Sequence, residues 1–223
     1  MSVKLKHIAQ LLHENYKLSK EPLPAVTWDD IVAKGLQAQT LEVYQNLGGI
    51  LEIPDILFPP YDLEYNGFAI QVDEEKQFNR YRSITLNAPF YTNFGELQLE
   101  KYKSYCRTFE PECLKSASHG NLWNNTFSQK NFGKPGEIGE LHKEGSTAWK
   151  YLAFQDFLVD LSSIIFNHKV IRLSIYDNIL MNNKMYRVND IILSSRPDYK
   201  TGLTKFLERK IKSLIPLDSP NIV

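Results

Sequence analysis

The residues best equipped for chemistry are Asp62, Gln71, Asp73 and Glu74, which fall in and just after the segment Tyr61 to Asp73. Within it, Asn66-Gly67 is a preferred two-residue hairpin turn, with positive φ expected at both positions. That turn sets a register: Tyr65 faces Phe68, Glu64 faces Ala69, Leu63 faces Ile70, Asp62 faces Gln71 and Tyr61 faces Val72. Side chains alternate along a strand. One face therefore carries Tyr61, Leu63, Tyr65, Phe68, Ile70 and Val72, and the other carries Asp62, Glu64, Ala69, Gln71, Asp73 and Glu75, with no Lys or Arg among them. Carboxylates crowded across a strand pair repel, and a hard divalent cation relieves that repulsion through its preference for carboxylate oxygens. A hairpin with one wet face sorts polar from apolar in the same way, so the elements around it have to decide between the two.

Residues 3–17 place Leu5, Ile8, Leu11, Leu12 and Tyr16 at helical spacing. Thr27 and Asp30 form a capping-box pattern that opens a helix running to about Leu47, closed by Gly48-Gly49. Residues 50–58 read as a strand interrupted by Pro54. Phe78 to about Thr147 is an insertion of weak periodicity, with a short helix near Leu97 to Cys106. The strongest helix spans residues 148–166, capped by Ser146 or Thr147, with Leu152, Phe157, Leu161, Ile164 and Ile165 among its inward positions. Val170 to Tyr176 reads as a strand with Ile171, Leu173 and Ile175 on one face, Met185 to Leu193 is ambiguous, and Gly202 to Leu214 is a terminal helix.

This order, helix, three strands, helix, strand, resembles the core of the PD-(D/E)xK nuclease-like superfamily. The string Ile70-Gln71-Val72-Asp73-Glu74-Glu75-Lys76-Gln77-Phe78 is similar to the branch related to very-short-patch-repair endonucleases. The resemblance covers roughly residues 27–82 and 148–177. It implies an α/β fold, a mixed central sheet with helices on both faces, built on a restriction-endonuclease-like αβββαβ core with a long insertion (about 78–147) in a single domain, 1–223. It also implies metal-dependent hydrolysis of phosphodiester bonds, DNA first. Asp62 and Asp73 would hold Mg²⁺, with Gln71 and Glu74 beside them and Lys76 stabilising charge on the phosphate. Arg80, Arg82 and Lys150 would contact the nucleic-acid backbone. The chain departs from the family pattern in three places: Gln71 stands where an acid is usual, Asp73 where a Lys is usual, and Gln77 where a His is usual. Asp55, after Pro54, is a second candidate for the family's Pro-Asp; Asp62 is preferred because it faces Gln71. A member of the same fold that has lost catalysis and binds nucleic acid or a protein partner is the alternative.

The chain has 223 residues, 43% of them hydrophobic and 23% charged, enough for a full core. Formal net charge is zero, so nothing global attracts nucleic acid, although Lys205, Arg209, Lys210 and Lys212 form a basic run. No apolar run approaches membrane-spanning length, and the N-terminus does not read as a signal peptide. Two cysteines fit a reducing compartment, and the expectation is a cytoplasmic protein, its partner nucleic acid, with a homodimer left open. Cys106, Cys113 and His119 lack the tight pairing of structural zinc. Trp123, Trp149, Tyr151 and Phe154 read first as core, with base stacking second.

Overall fold

A computed structural model describes residues 1–13, 15–95 and 97–214. Its helices are α1 (Val3–His13), α2 (Trp28–Ala33), α3 (Gln37–Asn46), α4 (Arg80–Thr85), α5 (Leu99–Thr108), α6 (Glu110–Ala117), α7 (Gly120–Trp123), α8 (Thr126–Phe132), α9 (Thr147–Phe166), α10 (Val188–Ile191) and α11 (Pro197–Lys212). The strands are β1 (Leu63–Tyr65), β2 (Phe68–Asp73), β3 (Lys169–Ser174), β4 (Asn178–Met181) and β5 (Lys184–Arg187). The chain is mixed α/β and divides into two compact units. One is made of residues 1–24, 60–73 and 168–223, the other of 25–59 and 74–167.

The first unit is built on a three-stranded sheet in the order β1-β2-β3, with β1 antiparallel and β3 parallel to β2. The hairpin register is the expected one: Leu63 faces Ile70, Glu64 faces Ala69 and Tyr65 faces Phe68. The turn differs from expectation, because Gly67 has φ +86° while Asn66 is not among the positive-φ residues. One glycine in the left-handed region suffices to reverse the chain here. The apolar face of the sheet, with Leu63, Ile70, Val72, Ile171 and Leu173, packs with α1 and α11 residues such as Ile8, Leu12, Leu203 and Leu207. Tyr16 meets Tyr65 and Phe68 edge-on. A second hairpin, β4–β5, turns through Asn182 and Asn183, both at positive φ (+49° and +59°). Asn tolerates that region better than other non-glycine residues, so Asn182-Asn183 marks the turn, and the ambiguous stretch Met185 to Leu193 holds most of β5 and the short helix α10.

The second unit forms around α9. Ser146 caps it by accepting from the Trp149 N–H, and the helix is buried on nearly every side, from Trp149 and Phe154 to Leu161 and Ile165. It is thus a central helix rather than one with a single apolar stripe. Ile164, expected inward, is 51% exposed. Two other expectations change. The helix of residues 27–47 is two helices, because Gly35 takes φ +68° and the Gly35 and Leu36 N–H groups close α2 on the carbonyls of Val32 and Ile31. Residues 50–58 are not a strand, so the expected three successive strands are two. Instead of a sheet, side chains satisfy this backbone: Tyr151 Oη accepts from the Leu57 N–H at 2.7 Å, Asn131 Oδ1 from the Asp55 N–H at 3.0 Å, and Gln155 donates to the Leu57 carbonyl at 2.7 Å. The insertion carries α4 to α8, with α5 close to the short helix foreseen near Leu97.

Of the residues expected in the core, Leu63, Ile70, Val72, Phe157, Leu161, Leu173 and Ile175 are buried, and Leu152 is half-buried. Ile70→Ala and Leu161→Ala, one in each unit, should each cost about 2–5 kcal/mol. Denaturant titration checks this, and a loss under 1 kcal/mol for either would reject the position as core.

Candidate functional site

The face of β2 expected to be wet and acidic is covered: Ala69, Gln71 and Asp73 are buried, and the whole strand is sealed on both faces. The cause is β3. Its register sets Arg172 opposite Gln71 and Ser174 opposite Asp73. Arg172 Nη1 donates to Asp73 Oδ1 at 2.6 Å, with the two side chains 1% and 2% exposed. The cation missing from the hairpin itself is therefore supplied by the next strand. Sequence reading placed Ile171 and Leu173 on one face, which puts Arg172 on the other, but did not set it against Asp73.

Asp62 lies one residue before β1. Its carboxylate accepts from the Val72 N–H at 2.8 Å, so the hairpin ladder closes through a side chain where backbone pairing stops. Glu64 is used likewise, accepting from the Leu23 N–H at 2.6 Å. Among the described residues no group of three or more His, Cys, Asp or Glu could hold a metal ion. The residues that the resemblance assigned to Mg²⁺ hold a guanidinium and an amide, a donor set that does not fit the ion, and no chemical step is derived through it.

The other expected residues belong to the second unit. Glu74 caps the short 3₁₀ turn Glu75–Gln77, its side chain accepting from the Gln77 N–H while Gln77 Oε1 accepts from the Glu74 N–H. Lys76 is exposed, and its carbonyl accepts from Asn79 at 2.9 Å. Asp55, the alternative acid, pairs with Lys130 at 2.5 Å. Arg80 forks onto Glu110 with bonds of 2.9 and 2.7 Å and also donates to the Leu141 carbonyl. Burial pushes the Glu110 carboxyl up, but the hydrogen bonds and charge of Arg80 outweigh it and hold the group below its usual value. Arg82 is no surface contact. It is 2% exposed and donates to Asp160 at 2.6 Å, to Tyr91 at 3.0 Å and to Thr85 at 3.1 Å, while Tyr91 also donates to Asp160. Neither Cys106 nor Cys113 is in a disulfide, and both are buried. Burial pushes the Cys113 thiol up to about 12, so it stays protonated.

Lys150 has a different setting. It sits in the first turn of α9, 8% exposed, with its ammonium 5.8 Å from the Tyr81 ring centroid. Burial pushes it below an ordinary lysine, against an opposing pull from Glu144. His168 lies 3.2 Å from the Tyr61 hydroxyl, and burial lowers its imidazole.

Residues 42–194 match a family described as a family of unknown function, DUF7255, and the chain belongs to it. No curated protein and no solved structure matches the sequence. No helix among the described residues is long and apolar enough to cross a membrane.

Proposed function

We propose that this chain binds nucleic acid without hydrolysing it, as a nuclease-related protein that has lost catalysis. The observation that carries the reading is the buried pair Asp73–Arg172. A carboxylate that holds a metal must offer it net negative charge, and at Asp73, one of the two residues the resemblance gave to Mg²⁺, a guanidinium already neutralises that charge. The ligand class rests on the resemblance to nucleases together with α11. There Lys205, Arg209 and Lys212 are all exposed, at spacings of four and three residues that set them on one face of the helix. Such a row suits phosphates along a backbone, with DNA the first ligand to test.

The test is a nuclease assay with Mg²⁺ and Mn²⁺ beside a binding assay, on duplex and single-stranded DNA and on RNA. The expected outcome is salt-sensitive binding and no cutting. The triple variant K205A/R209A/K212A should flatten the slope of log K against log salt by roughly 2–3. Cutting by the wild type, abolished in Asp73→Asn that circular dichroism shows still folded, would restore the hydrolase. Binding by the triple variant equal to wild type would remove α11 from the interface.

A further inference from the structure

The first turn of α9, a helix of 20 residues, carries a cation, Lys150. Lys150 is 8% exposed, and among the described residues no hydrogen bond or ion pair engages its ammonium. Glu144, the acid whose charge reaches it, is itself exposed. Side chains in a first turn point back toward the helix start, and the surroundings show Lys150 doing so. A Cβ on Gly48 would stand 3.3 Å from Nζ, and that glycine has φ +86°. Tyr81, whose ring lies near the ammonium, is held at the helix start by the Ser146 backbone and by Gly145, where a Cβ would fall 1.8 Å from its hydroxyl. The same turn has spare donors. Ser146 takes up the N–H groups of Trp149 and Lys150, whereas those of Thr147 and Ala148 have no hydrogen-bond partner among the described residues. An unpaired ammonium attracts an anion, and an oxyanion at a helix start is favoured by both the amides and the helix dipole.

We infer that Lys150 and the first-turn amides of α9 bind a terminal phosphate monoester. A terminal group is chosen because only 8% of Lys150 is exposed, so an anion reaches its tip most readily on the end of a ligand. The source is either a small phosphorylated molecule or the phosphorylated end of a nucleic acid. This site stands apart from α11 and from the question of cutting, so failure of either reading leaves the other intact.

The experiment is calorimetric titration of the full chain at pH 7.5 and constant ionic strength. The ligands are inorganic phosphate, a nucleoside 5′-monophosphate, and an oligonucleotide with and without a 5′-phosphate. Saturable binding of phosphate carriers is expected, and Lys150→Met should weaken it by about 10- to 100-fold. Lys143→Ala, which removes an exposed neighbouring charge, should leave it unchanged. Equal binding of free phosphate and monophosphate identifies a small ligand, and tighter binding of the phosphorylated oligonucleotide alone identifies a strand end. Either supports the site. Should K150M fail to fold, amide shifts of Thr147 and Ala148 in the wild type on adding phosphate serve instead. No saturation by any phosphate carrier, undiminished binding by folded K150M, or unmoved amides would overturn it.

Discussion

Arg172→Met is expected to destabilise the chain by about 3–5 kcal/mol, because it leaves the Asp73 carboxylate buried and charged without its partner. Asp73→Asn should also destabilise, by removing the charge that pairs with the buried guanidinium. This reverses what the hairpin alone suggests, namely that removing charge from Asp73 relieves repulsion at little cost. A double variant, Asp73→Leu with Arg172→Met, should recover much of the loss, since a buried ion pair replaced by apolar groups of similar size is often nearly neutral. The readout is far-UV circular dichroism through a urea titration. R172M within 1 kcal/mol of wild type would mean that the pair does not hold β2 to β3.

Arg82→Met should produce a loss of the same order, about 3–5 kcal/mol, in the other unit. Asp160 would lose the guanidinium that now donates to it at 2.6 Å beside the Tyr91 hydroxyl at 2.5 Å. Tyr91→Phe removes one hydrogen bond to a charged group and should cost less, about 1.5–3 kcal/mol. All three tryptophans, Trp28, Trp123 and Trp149, lie in residues 25–59 and 74–167, so tryptophan fluorescence follows this unit. R82M should shift the fluorescence transition strongly, while nucleic-acid affinity per folded molecule stays unchanged. Weakened binding with an unshifted transition would return Arg82 to the interface and contradict its burial.

What the sequence disclosed was mostly local. The Thr27–Asp30 capping box, the Ser146 cap of α9, the hairpin register and the alternation along β3 all follow from neighbours a few residues apart, and all are present. What it hid was long-range pairing. Whether the acidic face of β2 is wet depends on Arg172, about a hundred residues on, and whether Arg82 meets solvent depends on Asp160. Both partners gave a faint signal, each being a charge set in an apolar run: Arg172 between Ile171 and Leu173, and Asp160 between Val159 and Leu161. Residues 50–58 misled for a related reason. Their composition suits a strand, but their hydrogen bonds come from Tyr151, Asn131 and Gln155, and no local pattern shows that. The candidate site was legible as a set of residue types and not as a set of partners.

The way the chain interlaces its two units has a consequence for synthesis. Everything the unit around α9 needs has been translated by Asn167, whereas β2 cannot pair on its second edge until β3 has been made. At ribosomal rates of roughly 5–20 residues per second, the strand waits on the order of 5–20 seconds with that edge open. Its sequence, Phe-Ala-Ile-Gln-Val-Asp, is apolar enough to recruit another strand in that interval. A nascent chain stalled before Lys169 should therefore lean on chaperones far more than one stalled after Ser174.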